Sequence, residues 1–136
     1  MIEIKRFAPR LVAGMNVFKI TDVEYKKDFG RLSLTLVTEN GGKLWQNFDL
    51  ENENGMGAFS GLALAVFPDL EDSIDENSLV GQYIKFDIEQ VEYMKGDEKK
   101  KAWNKVKGTP YEHVEDNEKW DKPATPSTDD DLSFLD

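Results

Sequence analysis

The chain of 136 residues has no cysteine and a single histidine, His113. The missing cysteine excludes a disulfide framework, a thiol nucleophile and any cysteine-ligated zinc or iron–sulfur centre. One histidine excludes a multi-histidine metal site within one chain, and a solvated side chain is the simpler interpretation of His113. The sequence therefore predicts neither a metal centre nor a cofactor.

The sequence also has no hydrophobic stretch long enough for a membrane helix. Its longest uninterrupted apolar run covers residues 62–67, whereas a helix that spans a bilayer needs about 20 residues. The first residues do not show the charged-then-apolar order of a signal peptide. We therefore expect a cytoplasmic protein without a membrane partner.

Acidic side chains are in excess, and they are unevenly distributed. The chain carries 27 acidic and 17 basic residues, a formal net charge of -10. Residues 115–136 hold eight of the acidic and two of the basic residues, with prolines and few large apolar side chains. Such a composition buries too little surface to offset the entropy lost on ordering. We predict a folded domain over residues 1–114 and a disordered acidic tail over residues 115–136.

The tail ends in an acidic run that is followed at once by an apolar cluster. One interpretation is a solubilising tail. The other is a docking peptide, whose apolar side chains fill a pocket on a partner while its aspartates meet a basic rim. The candidate partner-binding residues are Asp129, Asp130, Asp131, Leu132, Phe134 and Leu135.

The body of the chain begins with apolar and polar residues that alternate as in β-strands. Residues 16–25 alternate with a slip of parity between Ile20 and Val23, and such a slip is what a β-bulge leaves in a sequence. Residues 31–39 and 43–50 alternate as a second and a third strand, with an Asn-Gly-Gly turn between them. Short turns between consecutive strands predict an antiparallel meander.

The pattern changes to helical spacing after the third strand. Apolar residues recur at every third or fourth position from Met56 to Phe67. Asn52 is suited to cap this helix at its start, and Pro68 to end it.

Alternation then resumes for two more strands. It runs over residues 81–93, with a parity slip beyond Ile88 that predicts a second bulge, and again over residues 102–106. The chain is therefore predicted to be mainly β. Three strands, a helix and two strands are the element order of a five-stranded OB-fold barrel with one helix between strands 3 and 4.

Basic and aromatic residues lie where an OB-fold binds its ligands. Those places are strands 2 and 3 and the loops that join strands 1 to 2 and 4 to 5. Bases stack on aromatic side chains and phosphates pair with Lys and Arg, so the combination fits single-stranded nucleic acid. The candidate DNA-binding residues are Lys26, Lys27, Phe29, Arg31, Lys43, Trp45, Tyr93, Lys95, Lys99, Lys100, Lys101, Trp103, Lys105 and Lys107.

Four segments of the body and the end of the tail carry a resemblance to a known family. The segments are residues 17–24, 32–37, 45–48 and 80–83, with the sequences VFKITDVE, LSLTLV, WQNF and VGQY. The body resembles the small single-stranded-DNA-binding proteins encoded in phage replication and recombination modules. The tail is similar to the acidic tips of bacterial and phage members, except that two residues follow the phenylalanine that ends the bacterial pattern.

The resemblance implies a protein that coats single-stranded DNA without strong sequence preference during phage DNA replication, recombination or repair. The compartment would then be the cytoplasm of the host cell. The resemblance also implies that the tail recruits phage or host replication and recombination proteins. A monomer and a homo-oligomer both stay open.

Two other functions stay open as well. An OB-fold also serves as a protein-interaction adaptor, in which case Trp45 and Trp103 would anchor an interface. The lysines around these aromatics favour DNA instead. A metal-dependent nuclease would use the carboxylates between Asp69 and Glu76, but their spacing does not match an EF-hand loop. With no Walker loop and no Ser–His pair in the sequence, we expect a protein without enzymatic activity.

A last hypothesis concerns the tail and the DNA together. The aspartates of the tail are suited to fold back over the basic groove and to mimic phosphates there. Removal of the tail would then raise the affinity for DNA, most visibly at low salt.

Overall fold

The described part of the chain folds into one antiparallel sheet and one α-helix. The computed structural model describes residues 1–2 and 11–120. Five strands pair in the order β3-β2-β1-β4-β5. Their bounds are Gly14–Lys26 (β1), Arg31–Val37 (β2), Lys43–Asp49 (β3), Tyr83–Lys95 (β4) and Glu98–Lys105 (β5), and the helix α1 covers Glu53–Val66. The predicted class, five strands with one helix between the third and the fourth, is confirmed for the described residues.

The first strand is long because it pairs with two neighbours in succession. Its first part, from Gly14 to Lys19, pairs with β4, and the part from Lys19 to Lys26 pairs with β2. The register against β2 shifts between Ile20 and Asp22, so the predicted first bulge is confirmed. The extra residue bends the strand and lets both Ile20 and Val23 reach the core.

The second predicted bulge is wrong. The fourth strand pairs with β5 in continuous register from Ile88 to Lys95. Val91 and Tyr93 therefore lie on the face opposite to Ile88. The reason is that β4 leaves the core after Ile88, so no buried surface dictates the face that its later apolar residues take.

The core lies between the inner face of the sheet and α1. Alternate residues of the strands are buried, and Phe18 stacks on Phe86 with ring centroids 4.8 Å apart. Asn52 caps α1 as predicted, because its side chain accepts hydrogen bonds from the backbone N–H groups of Asn54 and Gly55. The fully buried side chains include Phe18, Ile20, Leu32, Leu34, Leu36, Leu62, Ile84 and Phe86. No helix of the described part is long and apolar enough to cross a membrane.

The sheet is open in its backbone pairing, since β3 and β5 form the two edges of the described sheet. A side chain, Tyr111, links the two sides instead. Its ring lies 6.4 Å from that of Phe48 in β3 and 5.0 Å from that of Phe86 in β4. Its hydroxyl donates a hydrogen bond to Gln46 Oε1 at 2.7 Å. Burial raises the pKa of Tyr111, so the phenol stays protonated and able to donate.

Residues 111–120, which we call the strap, return along the edge of β4. Glu112 exchanges two backbone hydrogen bonds with Lys85. The ammonium of Lys85 lies 2.6 Å from Glu118 Oε2. This hydrogen bond raises the pKa of Lys85 and lowers the pKa of Glu118, so both groups are charged at neutral pH.

The strap contains the first residues of the segment that composition assigns to the tail. Residues 116–118 form a 3-10 turn, and the Trp120 ring meets Tyr83 edge-on at a centroid distance of 5.5 Å. Defined contacts therefore continue to Trp120, six positions beyond the predicted boundary at Val114. The rest of the predicted tail, residues 121–136, lies outside the described residues.

Candidate nucleic-acid interface

The outer face of β1, β2 and β3 forms a surface that we call the strand surface. Residues opposite each other in an antiparallel pair point to the same side of the sheet, so the register defines four rungs. In order, the rungs are Lys26–Arg31–Asp49, Glu24–Ser33–Asn47, Asp22–Thr35–Trp45 and Lys19–Val37–Lys43. Neighbouring rungs are about 6.8 Å apart, which makes the surface about 20 Å long.

Trp45 is the aromatic member of the strand surface. Its side chain is 59% exposed, and its direct neighbour on β2 is the small residue Thr35. The indole ring is therefore accessible to a planar ligand. A base stacked on such a ring contributes about 1–3 kcal/mol to binding, with little dependence on its identity.

A polar pocket lies at the Arg31 end of the strand surface. Its volume is about 420 Å³, and two cations, Lys26 and Arg31, line it together with Ser33, Asn47 and Asp49. The Ser33 hydroxyl donates a hydrogen bond to Asn47 Oδ1 at 2.6 Å. The cations are suited to a phosphate, and the hydroxyl and amide groups to a base edge or a sugar. Sequence reasoning missed Ser33, Asn47 and Asp49, although they alternate with Arg31 and Trp45 along the strands.

The turn between β1 and β2 adds two predicted residues beside this pocket. Lys27 and Phe29 lie in a 3-10 turn, which ends at Gly30 with a positive φ of 60°. The Phe29 side chain is 67% exposed. The structure therefore brings Lys27 and Phe29 close to Lys26 and Arg31, at one end of the strand surface.

The strand surface also carries carboxylates that the sequence analysis did not include. Asp22 and Glu24 occupy the two middle rungs, because the bulge turns them to the outer face. Asp49 lies opposite Arg31. Four cations and three carboxylates leave the surface close to neutral, so its capacity to bind an anion depends on where the cations lie.

The β4–β5 hairpin divides its predicted residues between two faces. Register and strand pleat place Lys99, Lys101, Trp103 and Lys105 on one face, and Tyr93, Lys95 and Lys100 on the other. Carboxylates accompany both sets: Glu92 lies opposite Lys101, and Glu98 lies 3.7 Å from the Lys100 ammonium. One ligand strand therefore cannot contact all seven residues along one face.

Two of the predicted hairpin residues, Trp103 and Lys105, contact the body of the protein outside the hairpin. Trp103 is partly buried and packs against the core. The Lys105 ammonium donates to the Thr109 carbonyl oxygen and lies 5.0 Å from the centroid of the Tyr111 ring. Lys107 lies in the exposed turn that follows β5. Lys99 and Lys101 are the exposed cations on the Trp103 face of the hairpin.

The residues considered for a metal site do not converge. Among residues 1–2 and 11–120, no group of three or more histidine, aspartate or glutamate side chains is placed to hold a metal ion. His113 is exposed, and its Nδ1 lies 2.7 Å from the Ala65 carbonyl oxygen of α1. Its Nε2 lies 3.3 Å from a Glu115 carboxylate oxygen.

The candidate partner-binding residues Asp129, Asp130, Asp131, Leu132, Phe134 and Leu135 lie outside the described residues. In comparisons with known proteins, no family model and no curated protein sequence matches the chain. Function is therefore inferred from the chemistry and geometry of the described surfaces.

Proposed function

We propose that this chain binds single-stranded DNA without strong sequence preference, and that the strand surface is the binding site. The observation that carries the proposal is Trp45, an exposed indole on a sheet face with cations at both ends. Arg31 and Lys26 occupy the first rung, and Lys43 the last. Stacking on Trp45 and phosphate contacts at the two ends would hold a short stretch of unpaired nucleotides.

The proposal includes an OB-type topology for the sheet. Three features support it: β1 is shared between β2 and β4, α1 connects β3 to β4, and Tyr111 links β3 to β4 across the open seam. In that topology, ligands lie across strands 2 and 3. The strand surface includes the outer faces of these two strands.

The chemistry of the strand surface favours a single strand over a duplex. Bases in a duplex are already stacked on one another, so they gain nothing from Trp45 unless they are unpaired. Duplex binding that ignores sequence depends on neutralising many phosphates. A surface with four cations and three carboxylates is poorly suited to that.

The biological setting of the proposal comes from the family resemblance. The chain would coat single-stranded DNA during phage replication or recombination, and the tip of its tail would recruit phage or host proteins. An oligomer would multiply the number of strand surfaces that contact one DNA strand.

The alternative function is a protein-interaction adaptor, with Trp45 as the anchor of the interface. Asp22 and Glu24 favour that alternative, because carboxylates in the middle of a surface repel phosphates.

Fluorescence anisotropy of labelled oligonucleotides tests the proposal. The three ligands are an oligothymidylate of about 30 nucleotides, a matched duplex and an RNA of equal length, each titrated from about 50 to 300 mM salt. We expect tight binding to the single-stranded DNA that weakens with salt, and weaker binding to the duplex. If the chain binds none of the three ligands at the lowest salt concentration, the result would favour the protein-interaction adaptor.

The variant Arg31→Gln locates the site in the same assay. Removing one phosphate contact reduces the slope of log affinity against log salt by about 0.7 for a single strand. Glu118→Gln is a control that also changes one charge, but on the strap. Equal slopes for the wild type and Arg31→Gln would place the DNA elsewhere.

A further inference from the structure

The helical side of the molecule differs in charge from the strand surface. Residues 50–82, which include α1 and the connection to β4, contain seven acidic side chains and no basic one. We call this stretch the acidic connector. It includes the acidic loop between Asp69 and Glu76, and no Lys or Arg within the stretch offsets its negative charge.

An apolar groove runs between α1 and the loop that follows the helix. Two adjoining cavities of about 420 and 310 Å³ share Leu70, Ser73 and Ile74 as lining residues. Along the helix, the groove extends from Met56 to Phe67, which corresponds to about 16 Å at the rise of an α-helix. These dimensions suit a short peptide segment.

Exposed apolar side chains of α1 lie along the groove. The inner face of the helix, including Phe59 and Leu62, is buried in the core. Met56 and Leu64 line the groove and remain 43% and 47% exposed. Grouped apolar side chains at the surface commonly mark an interaction site.

The rim of the groove is acidic. Asp69, Glu71, Asp72 and Asp75 line its two cavities, and all four are exposed. The ion pairs of the described chain involve other residues, on the hairpin and the strap. No Lys or Arg lines either cavity, so the four carboxylates make the field at the rim negative, which attracts cationic groups and repels phosphates.

We propose that the groove docks a basic, apolar peptide segment of a partner protein. The apolar side chains of the peptide would lie against Leu64, Leu70 and Ile74, while its Lys or Arg side chains would pair with the rim carboxylates. The charge of the rim selects this occupant, because it excludes DNA and also the acidic tail of this chain. The groove shares no residue with the strand surface, so the proposal does not depend on DNA binding.

Nuclear magnetic resonance with the full-length, nitrogen-15-labelled chain tests the proposal. The probe is a peptide of about 12 residues in which leucine and lysine alternate. Two control peptides replace its leucines by serine or its lysines by glutamate. We expect the leucine–lysine peptide to shift the amide signals of residues 56–78, and both controls to bind at least about tenfold more weakly, since each lacks one of the two contributions.

Two variants at equally exposed residues distinguish binding in the groove from general attraction of a basic peptide to an acidic protein. Leu64→Ser changes the groove, and Met15→Ser changes β1, where the side chain is also 47% exposed. We expect Leu64→Ser to weaken the leucine–lysine peptide about tenfold and Met15→Ser to leave its affinity unchanged. Both residues are exposed, and the amide spectrum of each variant reports that it is folded.

Four results of the peptide experiments would overturn the proposal. They are no binding of the leucine–lysine peptide, equal binding of either control peptide, equal affinities of the two variants, and shifts confined to residues 121–136. A groove already filled by a second copy would also overturn it. In that case the signals of residues 56–78 would move with protein concentration and the peptide would not compete. The DNA titration uses no peptide, so each proposal can fail alone.

Discussion

The strand surface and the groove on the acidic connector both expose apolar side chains, but in opposite electrostatic settings. Trp45 lies among four cations and three carboxylates. Leu64 lines a groove together with Glu71 and Asp72, and the residues that line this groove include no Lys or Arg. The net charge of -10 describes neither surface. The negative charge is concentrated in the acidic connector and in residues 115–136, which is why an acidic protein can still have a nearly neutral strand surface.

The two surfaces also differ in how the chain builds them. The strand surface combines residues from three strands, and each rung depends on the register and on the bulge between Ile20 and Asp22. The groove comes from one continuous stretch, a helix and the loop that follows it. A change of register would therefore rearrange the strand surface and leave the groove intact.

The largest expected difference in DNA affinity is between two variants that each remove an exposed apolar side chain, one at each surface. Trp45→Ala should weaken binding to a single-stranded oligothymidylate about 5- to 150-fold, because a stacked base contributes about 1–3 kcal/mol. Leu64→Ala should change that affinity less than about twofold, since the groove repels phosphates. Anisotropy titrations measure both. Similar losses for the two variants would contradict the assignment of DNA to the strand surface.

Reversing one charge at each surface is expected to have the second largest effect. Glu24→Lys adds a cation between the first rung and Trp45, and should tighten DNA binding about tenfold at low salt through one further phosphate contact. Glu71→Lys makes the same change at the rim of the groove and should leave the DNA affinity unchanged. Titrations at about 50 mM salt compare the two. An equal gain in both variants would mean that total charge governs binding, and the distinction between the surfaces would then fail.

Much of the strand surface was predictable because burial imposes a two-residue period. Leu32, Leu34 and Leu36 had to face the core, which placed Arg31 on the outer face. The bulge was predictable for the same reason, since both halves of β1 bury apolar side chains. Beyond Ile88 the constraint ends, and there the predicted second bulge was wrong.

The parts that were not predicted depend on contacts between residues far apart in the chain. Nothing in the local pattern pairs Tyr111 with Gln46 or Trp120 with Tyr83. The polar pocket was missed because serine and asparagine on an outer strand face are also typical of plain solvated strands. The groove was missed because the helical spacing from Met56 to Phe67 indicates a buried face, and spacing alone does not show that Leu64 lies at its exposed margin.

The link that Tyr111 makes between β3 and β4 can be weakened without changing any residue of the strand surface. Tyr111→Phe removes the hydrogen bond to Gln46 in β3 and should lower the free energy of unfolding by about 1 kcal/mol. Urea denaturation measures this change, and Tyr25→Phe is the control, because that side chain is 39% exposed on β1. We also expect faster hydrogen exchange along β3 than along α1. Equal stability of the two variants would mean that the Tyr111 hydroxyl does not secure β3.

The smallest expected effect concerns which of the two surfaces attracts the acidic residues 121–136. Residues 121–136 carry five aspartates and one lysine, so the rim of the groove repels them and the cations of the strand surface attract them. A chain that ends at Trp120 keeps the strap contacts with Tyr83 and Lys85. It should bind single-stranded DNA about two- to fourfold more tightly at low salt and equally at high salt, because screening removes the competition. Asparagine in place of Asp129, Asp130 and Asp131 keeps the length of the tail and should reproduce part of the gain. Unchanged affinity of the shortened chain at low salt would show that the tail does not compete with DNA for the strand surface.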